Sequence, residues 1–310
     1  MPTNSTRQYT TGTLALLITV VIWGVQFPIA KDAFETVNAF HSAIFRFSLP
    51  AIIMMVALLT LEGQRAFVPD KELRAVAALG LLGMCATPSL IFGGLMFTRP
   101  EIAAIVVASQ PILSIVVQRF WHRQKTDLTS LFCVLLAFTG IITVITRWDL
   151  SLQISAREMA GNAMVLVGAL CWVVYTMACG KYNHWSTLRL TAWTLTTGSV
   201  GNVLLVIVLV AAGLIAHPSG QQWYEVRYEL LFLALIGVLV AMSGWNAGSR
   251  LLGAINAMLF INLIPIVTIL FRYLQGYRFT LVELFGAALV IAALLTQNLA
   301  LRRKMLLQGN

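Results

Sequence analysis

Arg46 is the residue in this sequence best placed to do chemistry in an apolar setting. It lies about seven residues into an apolar run that opens near Ala39, roughly 10 Å along a helix from the start of that run. A guanidinium at such a depth is costly, and it marks a functional position unless a structural partner holds it. Two readings stand. In one, Arg46 grips a substrate carboxylate. In the other it is structural: it snorkels outward, bonds loop carbonyls, or pairs with Asp32, Glu35 or Glu101 near the same face.

Neutral polar and aromatic groups form a second set. Trp23 and Gln26 are three apart and share one helix face, and Trp172 and Tyr175 repeat that spacing. Such a face suits a cavity wall, with rings and a hydrogen-bonding edge. It suits interhelical packing with polar contacts equally well. Gln110, Asn246, Asn256 and Asn262 add donors and acceptors inside later apolar runs. Each alone reads as a packing hydrogen bond; together, amides from both halves suit a zwitterion. Pro28, Pro50, Pro88, Pro111 and Pro265 remove backbone donors within such runs. They kink helices or expose carbonyls to a cavity.

Absences narrow the chemistry. Asp, Glu and His sit at the ends of the runs or between them, so no carboxylate relay for protons is visible, although Glu101, Glu158 and Glu283 lie at run ends. No paired carboxylates, HExxH pattern or GxxxxGK[ST] loop occurs, which leaves aspartyl chemistry, zinc hydrolysis and ATP hydrolysis without a motif. Cys85, Cys133, Cys171 and Cys179 lie in apolar runs without a CxxC; buried cysteine usually acts as a small hydrophobe. No cofactor or metal site is expected.

These residues need elements to position them. The chain of 310 residues is 59% hydrophobic and 11% charged, where a soluble domain carries about 25% charge to face water. Apolar runs long enough to cross a bilayer fall near 12–30, 39–61, 73–95, 101–119, 127–146, 158–180, 189–215, 228–250, 254–273 and 280–301. Their length and lack of alternation exclude barrel strands. The reading is an all-α polytopic membrane protein of about ten transmembrane helices. The first run continues to Ala30 with no small-residue cleavage pattern, so it is expected to be a retained span rather than a signal peptide. The net charge of +9 sits mostly in short loops and in Arg302, Arg303 and Lys304, as topological anchors do. With the N-terminus cytoplasmic, 13 Lys/Arg fall on that side and 7 on the other, with Arg46 inside a span. Both termini are therefore expected inside, in the inner (plasma) membrane.

The halves also match each other. Pro111 and Pro265 are 154 apart, as are Ala103 and Ala257; Trp23 and Trp172 are 149 apart, as are Gln26 and Tyr175. Repeats of five spans each must run in opposite orientations. Inverted repeats place a substrate site at their interface near the midplane.

Span one reads Ile22-Trp23-Gly24-Val25-Gln26-Phe27-Pro28, and span two opens with Ile44-Phe45-Arg46-Phe47. Span eight ends Gly244-Trp245-Asn246-Ala247, then Leu252-Gly253-Ala254 leads to Pro265. In order and spacing, over nearly the whole chain, these resemble the drug/metabolite transporter superfamily, EamA type. The resemblance implies two five-helix repeats, here 12–146 and 158–301. It also implies export of amino acids or related small polar metabolites by alternating access, with sugars or drugs as lesser options. One departure stands out: the family often has Gly-Glu after spans four and nine, where this chain has Arg123-Gln124 and Gly276-Tyr277. The expected substrate-binding set is Trp23, Gln26, Arg46, Gln110, Trp172, Tyr175, Trp245, Asn246 and Asn262, with Pro111 and Pro265 shaping gates. The alternative is an intramembrane enzyme or a non-transporting receptor or scaffold. The expected partners are a small-molecule substrate and the lipid bilayer, with no nucleic acid.

The charge bias gives a direct test. A reporter active only in the cytoplasm, fused to the C-terminus, should give signal. Signal instead from an export-dependent reporter at the same place would overturn the topology.

Overall fold

A computed structural model describes residues 4–68, 71–122, 128–146, 148 and 155–308; among them there is helix and no strand. In chain order the long helices are α1 (Asn4–Ala33), α2 (Ala39–Glu62), α3 (Leu73–Leu95), α4 (Pro100–Val107 and Gln110–His122), α5 (Leu128–Thr146) and α6 (Ala156–Cys179). They continue with α7 (Thr187–Ala211), α8 (Arg227–Leu252), α9 (Ala254–Phe260 and Leu263–Leu274) and α10 (Leu281–Gln308). Eight of these are long and apolar enough to cross a bilayer: α1 to α4 and α6 to α9. The 19-residue α5 and the apolar Leu281–Ala293 stretch of α10 fall at the fifth and tenth expected spans. The protein is a polytopic all-α membrane protein.

Local signals set several boundaries. The Asn38 side chain accepts the backbone N–H groups of Phe40 and His41 at the start of α2, and Ser186 accepts that of Arg189 at the start of α7. Each supplies a partner for donors that the first turn leaves free. Gly253 separates α8 from α9 at φ 84°, a left-handed conformation that a side chain would strain. Lys31, at the end of α1, donates to the carbonyls of Leu95 and Met96 at the end of α3.

Hydrophobicity cannot drive two helices together when the surroundings are as apolar as their side chains, so close packing of small residues and interhelical hydrogen bonds do the work. α3 crosses α6 where Gly94 meets Gly161. α8 crosses α1 where Gly248 meets Gly12. A Cβ on Gly161 would stand 2.8 Å from the Gly94 carbonyl oxygen, and one on Gly248 would stand 3.1 Å from that of Gly12. Elsewhere Ser48 and Ser199 hydroxyls bond at 2.7 Å between α2 and α7, and the Thr268 hydroxyl donates to the Gly24 carbonyl at 2.7 Å between α9 and α1.

Four places depart from regular α-helix. α3 is π-helical over Leu81–Ala86 and α8 over Phe232–Val240, while α4 breaks at Ala108-Ser109 and α9 at Ile261-Asn262. Side chains claim carbonyls at both bulges: Asn202 donates to Met84 O at 2.9 Å, Trp23 to Gly237 O at 3.2 Å and Thr19 to Ala241 O at 3.1 Å.

The α3–α6 crossing is testable. Gly161→Ala forces a methyl against the Gly94 carbonyl and should destabilise by about 1–3 kcal/mol, as overpacking does. The control Gly180→Ala, whose Cβ meets nothing within 4 Å, should be neutral. Thermal unfolding of the two purified variants in one detergent checks it. Equal midpoints would show the crossing to be loose.

Candidate functional site

All four irregularities converge on one cavity. The bulges contribute Gly83 from α3 and Gly237 and Val238 from α8. The breaks contribute Val107 and Gln110 from α4 and Ile261 and Ile264 from α9. Trp23, Gln26 and Phe27 of α1, Arg46 and Phe47 of α2, Thr87, Pro88, Ile91 and Phe92 of α3, Trp172 of α6 and Met242 of α8 complete the lining. The cavity volume is about 70 Å³, below the range of sites that enclose a drug-sized ligand whole. Irregular backbone at membrane depth is tolerated where it faces protein or a cavity rather than lipid, so the cavity and the irregularities explain one another.

The bulges make room in matched ways. Gly83 packs against the Tyr175 ring, and a Cβ on Gly237 would stand 2.8 Å from Gln26 Oε1. The extra residue in each π turn re-aims the helix so that a glycine backbone faces a large side chain.

Arg46 is 1% exposed, which excludes the outward snorkel. Its guanidinium lies 4.0 Å over the Phe92 ring and 5.9 Å from that of Phe47, a cation–π setting. Its Nε and Nη1 have no hydrogen-bond partner. No ion pair joins it to Asp32, Glu35 or Glu101, one of the forms the structural reading allowed; Glu101 instead lies 3.5 Å from Arg99 and 3.9 Å from Arg272. Helix direction explains the difference. Arg46 and Glu101 are both buried, but Glu101 opens α4, more than two turns before Gln110, which faces the cavity that holds Arg46. Facing the same cavity are two neutral acceptors without partners, Gln26 Oε1 and Gln110 Oε1.

Of the nine expected site residues, five line the cavity: Trp23, Gln26, Arg46, Gln110 and Trp172. Tyr175 and Trp245, both 0% exposed, stand behind it in an aromatic layer. Ring centroids are 5.4 Å apart for Trp23–Trp172, 5.2 Å for Trp23–Trp245, 5.8 Å for Trp172–Trp245 and 5.1 Å for Trp172–Tyr175. Asn246 turns away, donating to Thr191 Oγ1 at 2.8 Å and lining a separate cavity. Asn262 sits at the α9 break with Oδ1 unpartnered, outside the cavity lining. Asn256 donates back across the α8–α9 turn to Leu252 O. The sequence reading missed Gly83, Gly237 and Phe92. The 154-residue spacing of the two glycines was the available signal; Phe92 carries none.

The opposite end of α4 carries charge. Arg99 donates to Glu283, 2% exposed, and to the Tyr277 hydroxyl at 3.0 Å, and Thr280 N–H caps the same carboxylate at 2.9 Å. Burial opposes the Arg99 charge, but the Glu283 hydrogen bond and the field of Glu101 outweigh it and hold its pKa above the usual value. Tyr277 here occupies one of the positions where a Gly-Glu pair was absent; Arg123-Gln124 lies outside the described residues.

A family model described as the EamA-like transporter family matches residues 10–146 and again 159–298. The chain belongs to the EamA-like transporter family. Among its relatives, the uncharacterized transporter YrdR of Bacillus subtilis (strain 168) is 30% identical over 94% of this chain and 92% of its own. A "probable amino-acid metabolite efflux pump" of Escherichia coli (strain K12) is 23% identical over 94% and 95%. A solved structure superposes with TM-score 0.64 over 94% of this chain and 97% of that one at 19% identity, which shows the fold. This member of the EamA-like family is thus a membrane transporter in the coarse sense that its relatives are.

The prolines sit differently from a mid-helix bend. Pro111 is the second residue of the second α4 segment and Pro265 the third of the second α9 segment, where a missing N–H costs nothing. Each ring instead denies a helical donor to the carbonyl four residues back, Val107 and Ile261, so the break falls upstream of the proline. Both of those residues line the cavity. We expect Pro111→Ala and Pro265→Ala to heal these breaks and shift the balance of facing states in opposite directions. Single cysteines at the two mouths should change labelling rate several-fold, with little change in equilibrium substrate binding. Unchanged labelling and flux in both variants would make the prolines packing features only.

Proposed function

We propose that this transporter exports amino acids or closely related zwitterionic metabolites across the cell membrane by alternating access, with both termini in the cytoplasm. The observation that carries the reading is the pairing of unmet groups in one cavity. Arg46 offers N–H donors and a positive charge, while Gln26 and Gln110 offer neutral oxygens. A carboxylate matches the guanidinium fork, and an ammonium group matches the two amide oxygens. A solute bringing both ends repays the cost of three buried, unpartnered polar groups. The aromatic and aliphatic walls take an apolar or amphipathic side chain. The printed name of the Escherichia coli relative points to the same solute class.

We further infer that residues 12–146 and 158–301 are inverted repeats around this site. The Gly94–Gly161 contact maps onto Gly248–Gly12 when α3 residues are advanced by 154 and α6 residues set back by 149, and the Gly83–Tyr175 contact maps onto Gly237–Gln26 by the same offsets. Both bulges and both breaks obey the 154-residue offset within a few residues. Repeats in opposite orientation give two ways of packing the same parts, which is what alternating access needs.

Proteoliposome uptake with a panel of labelled amino acids tests the class, and Arg46→Lys tests the residue. Lysine keeps the charge but loses the fork, so affinity for carboxylate solutes should fall about tenfold, the ~1.4 kcal/mol scale of one charged hydrogen bond. Folded yield should be preserved. Collapse of expression with normal transport by the surviving protein would return Arg46 to a structural role, and absence of flux for the whole panel would favour a receptor or scaffold.

A further inference from the structure

A second cavity lies one helical turn beyond the first. On α6, Trp172 lines the central cavity and Thr176 lines the second; on α8, Met242 lines the central cavity and Asn246 the second. Both steps are four residues, about 6 Å of rise. The residues between them in each helix include Tyr175 and Trp245, fully buried members of the aromatic layer. Two helices thus agree that a wall one turn thick separates the two spaces.

The second cavity is more polar than the first and has a volume of about 110 Å³. Thr176, Asn183, Thr187, Asn246, Ser249 and Arg250 face it. Thr176 is 4% exposed, yet its Oγ1 has no hydrogen-bond partner; Ser249 Oγ has none either. Arg250 is fixed in place. It donates to Thr187 Oγ1 at 2.8 Å and to the carbonyls of Asn183 and Trp185, which pins a positive charge at the wall where α6 turns into α7. Buried hydroxyls without partners are costly unless something fills the space they face. Hydroxyls beside a fixed guanidinium suit a small solute with a carboxylate and a polar body.

We propose that this cavity is a second solute-binding site, a vestibule where a zwitterion is held before the aromatic wall opens to the central cavity. It rests on the transport reading above, including its orientation, which puts Lys181, Arg189 and Arg250 on the cytoplasmic side. An exporter collects its solute on that side. Tyr175 and Trp245 then act as the partition: each is followed in sequence by a residue of the vestibule, Thr176 and Asn246. A turn of side-chain movement transfers the solute without opening a continuous channel.

Cys179 lines the vestibule and serves as a native reporter. In the full chain carrying Cys85→Ala, Cys133→Ala and Cys171→Ala, its reaction with 2-aminoethyl methanethiosulfonate is followed by mass spectrometry, with and without L-serine or L-phenylalanine. The same preparation is assayed for flux of both amino acids in vesicles. An amino acid that is transported should slow labelling several-fold, should still do so with Arg46→Ala, and should fail to do so with Thr176→Val. Equilibrium dialysis of radiolabelled L-serine or L-phenylalanine, whichever is transported, should count two solutes per unaltered chain. Transport without protection, protection that vanishes with Arg46→Ala, a count of one, or a thiol that never reacts would each overturn the vestibule and leave the transport reading standing. Neither flux nor protection for either amino acid would overturn both.

Discussion

A peptide group in hydrocarbon has no water to bond, so each N–H and C=O of a lipid-facing helix must be satisfied inside its own segment. In this protein that constraint sorts the backbone into two kinds, regular helix and irregular turns. The π turns and breaks each turn one side to the cavity at the centre of the bundle, while Leu81, Ile236 and Val240 of the π turns still face outward. Side chains from neighbouring helices then take up what the bulges release: Asn202 from α7 bonds the α3 bulge, and Trp23 and Thr19 from α1 bond the α8 bulge. The interhelical bonds therefore follow from the cavity and also fix which helices surround it. Glycine approaches of Gly198 to the Gly80 carbonyl between α7 and α3, and of Gly248 to the Gly12 carbonyl between α8 and α1, bring the bulged helices close enough for those bonds to form.

The same constraint explains which parts of this arrangement a sequence can display. The spans are visible because each needs about twenty apolar residues whatever it packs against. The breaks are half visible. Pro111 and Pro265 mark them, but the break itself lies at Ala108-Ser109 and Ile261-Asn262, because the steric conflict acts on the carbonyl four residues earlier. The bulges leave one faint trace, the 154-residue spacing of Gly83 and Gly237; each alone looks like any membrane-helix glycine, and their contacts with Tyr175 and Gln26 reveal the role. The polar lining was legible for Trp23, Gln26, Arg46, Gln110 and Trp172, where residue type and spacing coincide. Asn246 lines the next space rather than the central one because a residue beside Trp245 turns about 100° around the helix, and that rotation carries it from one space to the other. Phe92, which faces the Arg46 charge, gives no sign among apolar neighbours.

The two ends of the bundle are built from different interactions. At the α4 start, Arg99 bonds Glu283 and the Tyr277 hydroxyl, and Glu101 lies in ion-pair range of Arg99 and Arg272, so charge ties three segments together. On the other side of the cavity the closure is aromatic, through Trp172, Tyr175 and Trp245. Ion pairs are directional and re-form only in one register, whereas stacked rings slide with little loss. On the proposed alternating-access reading, a transporter with one mouth held by each type would have unequal barriers at its two mouths, even if its two halves descend from one repeat. Sequence departs from symmetry in the same place: Gly253 at φ 84° stands 154 residues after Arg99, so only the first half supplies the charge at that position.

Arg46 finally bears on the energetics of the cycle. A cation held in the middle of a membrane interacts with the transmembrane potential, at about 2.3 kcal/mol for each elementary charge moved through 100 mV. If the bound solute were an anion, the loaded and empty cavities would differ by one charge, and the two half-cycles would respond differently to voltage. A zwitterion leaves the net charge of the cavity unchanged, so whatever charge Arg46 carries outward with the solute it carries back when empty. The Phe92 face lets the cation persist in the empty state without a carboxylate, and a carboxylate of the protein's own, had Glu101 or Asp32 reached it, would have competed with the solute for the same fork. On the proposed function, the absence among the described residues of a counter-ion at Arg46 leaves its fork open to a solute carboxylate and able to release it.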